Sequence, residues 1–150
     1  MERMDIRPHH LLDIISSHGA GHEFKPAAYG HAVHTCAEIV LNDLDTPLEF
    51  VAAADFICAP CIHLVDGVCD DTVGSLDPPL MKQDYNDDLD RRLLVHFELA
   101  EGDQITFGEY LQVIADHFSG LPEMCSHPGE EVSARAENLR AGLDKLGVTA

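Results

Sequence analysis

Apolar residues recur every three or four positions through much of the chain, and this spacing places them along one side of an α-helix. The clearest series is Tyr29, Val33, Cys36 and Val40. It predicts an amphipathic helix over residues 26–41, which Pro26 can open because proline suits the first helical position. Cys36 belongs to the apolar series, so we interpret it as a small buried core residue.

The same periodicity predicts four further helices. They cover residues 10–17, 85–99, 106–118 and 131–146. The third of these begins with Thr106 and Glu109, a capping box in which each side chain covers a free backbone N–H of the other residue. Gly120 and Pro122 break the pattern after it, and Gly147 ends the last helix.

Residues 55–83 show no regular periodicity and contain three of the five cysteines. A short strand is predicted just before them, over residues 48–54. We therefore predict a mostly α-helical fold in which about four to five helices surround an irregular, cysteine-containing region. No repeat, low-complexity stretch or long internal linker divides the chain, so residues 1–150 are predicted to form a single domain.

The net charge of the chain excludes some classes of binding partner. The chain has 27 Asp and Glu against 9 Lys and Arg, which gives a net charge of −18. Nucleic-acid affinity depends on cations that displace counterions, and anionic lipid repels an acidic surface, so we predict neither a nucleic-acid nor a membrane partner. The acidic surface serves solubility, or it forms a docking face for a basic redox protein.

A chain of 150 residues with 45% hydrophobic residues can bury the core of an ordinary domain without a metal or a disulfide.

No targeting or membrane segment is predicted. The longest apolar run, residues 50–54, is far below the roughly 18 residues of a membrane span. The N-terminus has no basic segment followed by an apolar one, so we predict a cytoplasmic location, in which thiols stay reduced.

Three cysteines lie close together in the irregular region. Cys58 and Cys61 form a C-x2-C pair, and Cys69 follows an Asp66-Gly67 turn. Two thiols that are separated by two residues can turn toward one metal ion or cluster, and the third thiol can close on the same site. Unliganded thiols would not explain the clustering, and a redox-active pair lacks its usual βαβ context. We predict one metal centre that uses all three thiolates.

Cys125 is the leading candidate for the fourth ligand. It follows the break at Gly120 and Pro122, where a loop can carry it to the other thiols. His63 lies between the predicted ligands and His127 forms a C-x-H pair with Cys125. Both histidines are weaker candidates, because a single histidine is more often a surface group or a hydrogen-bond partner.

Several motifs resemble the DUF1284 family, small bacterial and archaeal proteins that are regarded as iron–sulfur binders. The motifs are Arg7-Pro-His-His-Leu-Leu12, Gly19-x-Gly21, Asp55-Phe-Ile-Cys58 with Cys61 and Cys69, and Asp90 ahead of Arg92-Leu-Leu. The likeness runs from about Ile6 to about Leu143, and its most specific part is the tandem histidine after proline. The resemblance implies a [4Fe–4S] cluster, whose usual complement is four Cys thiolates.

The chain departs from the family at two places. The family usually continues the tandem-histidine motif with Cys, where this chain has Asp13, and the family's C-terminal cysteine-rich stretch is reduced to Cys125. Asp13 is therefore an alternative fourth ligand. His9 and His10 point about 100° apart at a helix start, so we expect one of them to donate a hydrogen bond to the cluster or to a carboxylate. A buried tether for the N-terminus is the alternative role.

Three functions fit these features. The first is a [4Fe–4S] protein that acts in electron transfer or redox sensing with a protein redox partner. The second is a structural zinc module that mediates protein interaction. The third is a metal-dependent enzyme with an open coordination position near Asp13, His9 and His10. The sequence has no phosphate loop, nucleophile elbow or zinc-protease motif, which favours a protein that is not an enzyme by itself.

Overall fold

Six helices form most of the regular structure in the computed structural model, which describes residues 2–73 and 80–150. They are α1 (Pro8–Gly19), α2 (Val33–Asn42), α3 (Lys82–His96), α4 (Phe107–Asp116), α5 (Leu121–Cys125) and α6 (Val132–Lys145). The prediction of a mostly α-helical fold is confirmed, and the capping box of Thr106 and Glu109 opens α4. Within these described ranges, no helix is both long and apolar enough to cross a membrane.

Seven short strands occur in the described part of the chain. They are β1 (Met4–Ile6), β2 (Pro47–Phe50), β3 (Leu64–Val65), β4 (Val68–Cys69), β5 (Thr72–Val73), β6 (Leu80–Met81) and β7 (Gln104–Thr106). One sheet has the order β1-β2-β7, in which β2 runs parallel to β1 and antiparallel to β7. Of these strands only β2 is predicted, over residues 48–54, because strands of two or three residues are too short to show a period of two.

The region predicted as irregular contains two small antiparallel pairs, β3 with β4 and β5 with β6. Positions 74–79 of that region lie outside the described residues. We call residues 55–73 the cysteine loop. The cysteine loop is attached to the edge of the sheet, because the Phe56 N–H donates to the Asp5 carbonyl at 3.0 Å.

The helix predicted over residues 26–41 begins only at Val33, so the first part of that prediction is wrong. The preceding backbone bonds to the cysteine loop instead, where the Ile62 N–H donates to the Tyr29 carbonyl at 2.8 Å. Gly30 has a φ of 77°, a left-handed conformation that does not continue a right-handed helix. Tertiary hydrogen bonds and this turn override the apolar spacing.

The predicted break after α4 is present, but the segment after it is not a loop. Gly120 adopts a φ of 80°, and α5 starts at the next residue with Pro122 in its first turn. Proline fits there because the first N–H groups of a helix have no intrahelical acceptor. Cys125 is therefore the last residue of a short helix, and the loop expected around it is wrong.

Close packing between α1 and α6 fixes the position of α1. A Cβ atom at Gly142 would meet the carbonyl oxygen of Ile15, and one at Gly19 would meet the carbonyl oxygen of Asn138. Glycine is required at both contacts because no other residue lets the two backbones approach this closely. The first turn of α1, which carries the tandem histidine, is held in place as a consequence.

Candidate metal centre

A cavity of about 340 Å³ lies between the first turns of α1 and the cysteine loop. Its wall includes Cys58, Cys61 and Cys69, which the sequence predicts to share one site. Half of the chain's ten histidines also line it. They are His9, His10, His31, His63 and His127. Thiols and imidazoles are the usual protein ligands of transition metals, so the cavity has the composition of a metal site.

Asp55 joins the cysteine loop to α1. Its Oδ1 accepts hydrogen bonds from the backbone N–H groups of Ile57 and Cys58 at 3.1 and 3.2 Å. Its Oδ2 accepts from the backbone N–H of Arg7 at 2.7 Å and from His10 Nδ1 at 2.8 Å. Burial acts to raise the pKa of Asp55, but the His10 charge and these hydrogen bonds outweigh it and lower the pKa to about 2. Asp55 is therefore ionised at neutral pH.

Two tight turns bring the three thiols to the cavity. The Cys61 N–H donates to the Cys58 carbonyl at 2.9 Å, which closes the C-x2-C turn. The predicted turn at Asp66 and Gly67 connects β3 to β4, and the φ angles of these residues are 52° and 80°. The resulting hairpin returns Cys69 to the same wall as the first two thiols.

The Cys58 thiol does not have the lowered pKa of a reactive nucleophile. Burial and the neighbouring Asp55 carboxylate raise its pKa to about 12. Reactive cysteines have lowered pKa values, so the structure does not favour a redox-active pair of Cys58 and Cys61. A metal cation can still bind such a thiol, because it displaces the proton.

His10 lies directly beside Cys58. One ligand atom from each of His10, Asp55 and Cys58 lies within 4.8 Å of the other two, and residues 2–73 and 80–150 provide no other compact group of this kind. Burial acts to lower the pKa of His10, but the Asp55 charge raises it overall. Because Asp55 is ionised, His10 Nδ1 donates the proton of their hydrogen bond, and Nε2 is the ring nitrogen outside that bond.

His9 is held by a second buried carboxylate. Its Nδ1 lies 2.9 Å from both oxygens of Asp90. Arg7 donates to Asp90 at 2.9 Å and to Asp87 at 2.7 Å, which ties the start of α1 to α3. The hydrogen bond expected between the tandem histidine and a carboxylate is thus present at both His9 and His10.

Asp13 lines the cavity, but it belongs to an ion pair. Its Oδ1 accepts from His127 Nε2 at 2.9 Å and from Arg135 Nη2 at 2.8 Å. Burial acts to raise the pKa of Asp13, but His127 and Arg135 lower it well below its usual range. To bind a metal through this oxygen, Asp13 would have to release a charged partner, and breaking a largely buried pair is costly.

Cys125 does not line the cavity. Its thiol is buried, and Sγ accepts a hydrogen bond from Arg135 Nε at 3.4 Å. Burial raises the pKa of Cys125, although the Arg135 charge opposes this. Cys36 is also away from the cavity, buried in the core with its Sγ 3.7 Å from Met4 Sδ, as its apolar series predicts.

His31 is a lining residue that the sequence analysis misses. It lies just before α2, and its Nδ1 accepts the Val33 N–H at 3.4 Å. A single histidine outside any motif carries no sequence signal, so only the fold reveals its position. His63 also lines the cavity and is paired with Asp70 at 2.8 Å.

No family model matches the chain, and comparison with curated proteins and with solved structures found no match. The resemblance to the DUF1284 family therefore stays a prediction from the motifs.

Proposed function

We propose that the chain binds a [4Fe–4S] cluster in this cavity, with Cys58, Cys61 and Cys69 as thiolate ligands. The observation that supports the proposal most strongly is the convergence of these three thiols on one cavity of about 340 Å³. The motifs shared with the DUF1284 family favour the same cofactor. The proposed role is electron transfer or redox sensing, which are functions that a one-electron cofactor supplies.

The three thiols do not form one compact group within 4.8 Å in the described part of the chain. Two thiolates on one zinc ion lie about 3.8 Å apart, because Zn–S bonds of about 2.3 Å meet at tetrahedral angles. In the described part of the chain, Cys61 and Cys69 do not join Cys58 in a group within 4.8 Å. In a cubane cluster each thiolate binds a different iron, so the thiols stand further apart.

A structural zinc module is the second candidate. The compact group of His10, Asp55 and Cys58 is small enough to surround one ion, and this observation favours it. However, Asp55 already accepts four hydrogen bonds. A chain of 150 residues also has enough core to fold without a metal staple.

An enzyme with an open metal position near Asp13, His9 and His10 has less support. Asp13 forms an ion pair with Arg135, and the Nδ1 atoms of His9 and His10 are hydrogen-bonded to buried carboxylates. These contacts orient the side chains and do not indicate a substrate.

The charge of the chain favours a basic protein as the redox partner. With a net charge of −18, the surface attracts a positively charged protein and speeds its association at low ionic strength. The proposal retains the predicted cytoplasmic location, where cellular reductants keep the thiols available for a metal.

Metal analysis after anaerobic purification tests the proposed function. We expect a brown protein that contains iron and acid-labile sulfide in equal amounts, as a [4Fe–4S] cluster does. A colourless protein with one zinc ion per chain and no sulfide would contradict the cluster and support the zinc module. Addition of iron and sulfide to the reduced protein, followed by the same analysis, separates a lost cluster from one that never binds.

A further inference from the structure

We infer that Nε2 of His10 is the fourth protein ligand of the metal centre. The inference rests on the proposed function, because it takes the three thiols of the cysteine loop as the other ligands. It replaces Cys125 and Asp13, the two residues that the sequence favours for this position.

Asp55 couples His10 to Cys58 through the two oxygens of one carboxylate. Oδ2 accepts from His10 Nδ1 at 2.8 Å, and Oδ1 accepts from the Cys58 backbone N–H at 3.2 Å. The imidazole and the thiol are therefore held on the same side of the cavity. Histidine ligands commonly donate their other ring nitrogen to a carboxylate, which orients the ring and strengthens it as a ligand.

The second ring nitrogen of His10, Nε2, lies outside the hydrogen bond to Asp55. The side chain is only 15% exposed and lines the cavity. Within the ranges that the structure describes, no side chain or backbone group forms a hydrogen bond with Nε2. Nε2 is therefore the His10 atom that a ligand in the cavity can reach.

The other candidates are occupied or lie elsewhere. Asp13 is paired with Arg135, and Cys125 lies outside the cavity wall with Arg135 at its sulfur. His9 lines the cavity but does not belong to the compact group that contains Cys58. His31 and His63 also line the cavity but lie outside that group, so among the described residues His10 is the histidine that shares a compact group with Cys58.

Histidine ligation has a measurable electronic consequence. A neutral imidazole in place of a thiolate makes the centre one unit less negative, and histidine ligation raises the reduction potential of iron–sulfur centres. Asp55 then acts as a positioning residue, because it orients the ring without touching the metal.

Pulsed electron paramagnetic resonance of the reduced, cluster-loaded protein tests the inference. We expect a nitrogen coupling from a directly bound imidazole in the wild type. His10→Cys should keep the cluster, lose that coupling and lower the reduction potential, since a thiolate replaces the imidazole. His127→Ala and Cys125→Ala are the matched controls, and both should keep the coupling. Persistence of the full coupling in His10→Cys would overturn the inference, and so would loss of the cluster in Cys125→Ala.

Cobalt(II) binding to the cluster-free, reduced protein separates this inference from the proposed function. Whatever metal the cavity holds naturally, His10→Ala should weaken Co²⁺ binding at least tenfold, while Cys125→Ala should leave it unchanged. Equal Co²⁺ affinity in the wild type and His10→Ala would overturn the inference even if a cluster is present. Iron and sulfide contents report on the proposed function independently.

Discussion

The Nδ1 atom of His10 lies 2.8 Å from Oδ2 of Asp55, although the two residues are 45 positions apart. Their hydrogen bond connects the first turn of α1 to the cysteine loop. The same carboxylate accepts a hydrogen bond from the Cys58 backbone N–H, so one buried charge holds residues on both sides of the cavity in place. The contact therefore contributes to the stability of the fold as well as to the geometry of the candidate metal centre.

Replacing Asp55 should change how stability depends on pH. The pKa of Asp55 is about 2, below its ordinary value of 3.8. A carboxylate with a lowered pKa stabilises the fold fully above the ordinary pKa, and this contribution is lost as the pH falls from about 4 to about 2. The contribution is about 2 kcal/mol at neutral pH. In Asp55→Asn the metal-free protein should lose this amount, since an amide cannot accept from donors on both sides.

Urea unfolding between pH 2 and pH 7, followed by circular dichroism, measures this effect. Asp88→Asn is the matched control, because Asp88 is exposed and its pair with Arg92 is worth little. An acid loss of stability in Asp55→Asn that is as steep as in the wild type would show that Asp55 does not contribute in this way.

Arg135 should matter for stability and not for metal binding. Its buried guanidinium contacts Asp13 at 2.8 Å and the Cys125 sulfur at 3.4 Å. Arg135→Met should cost about 2 kcal/mol, because it removes the buried member of the pair and leaves Asp13, which is 31% exposed, with His127 as its remaining partner. Arg92→Met, at an exposed i,i+4 pair, should cost less than about 0.5 kcal/mol. Loss of metal from folded Arg135→Met would contradict a purely structural role.

A third prediction concerns the contact between α1 and α6. Gly142→Ala should lower the free energy of unfolding by about 3 kcal/mol, because its Cβ would overlap the Ile15 backbone carbonyl and overpacking strains a core. Gly108→Ala is the control, since its Cβ would lie 3.2 Å from the nearest atom, the Leu44 carbonyl oxygen. Equal losses in the two variants would contradict a closer approach of backbones at Gly142 than at Gly108.

The acidic surface predicts an absence of binding to polyanions. At physiological ionic strength the chain should bind neither duplex DNA nor anionic vesicles, because a net charge of −18 opposes both. Gel-shift and vesicle-sedimentation assays measure this directly. Tight binding that weakens with added salt would contradict the prediction.

The helices were predictable because their apolar residues repeat over long segments. The start of α4 was also predictable, because a capping box marks it. The Thr106 side chain accepts the Glu109 N–H at 3.1 Å and the Glu109 carboxylate accepts the Thr106 N–H at 2.9 Å, as the sequence motif predicts. The start of α2 was not predictable in the same way. Its preceding residues bond to Ile62, more than 30 positions further along the chain, and such tertiary contacts leave no local pattern.

The candidate site was predictable where its residues are close in sequence. The spacing of Cys58, Cys61 and Cys69 predicts that they meet, and all three line the same cavity. The partners of His10 and Cys125 depend on contacts between distant elements. A spacing argument cannot show that Arg135 covers the Cys125 sulfur, or that Asp55 orients the His10 ring.

Iron and sulfide analysis of single cysteine variants tests the central claim most directly. Cys61→Ser should lose most of its iron and sulfide with little change in helical circular dichroism, because the helices have their own apolar contacts. Cys36→Ala is the matched control, since Cys36 is a buried thiol away from the cavity, and it should keep its iron while losing about 1 kcal/mol of stability. Full iron and sulfide retention in Cys61→Ser, or loss of both in Cys36→Ala, would contradict a cluster held by the cysteine loop.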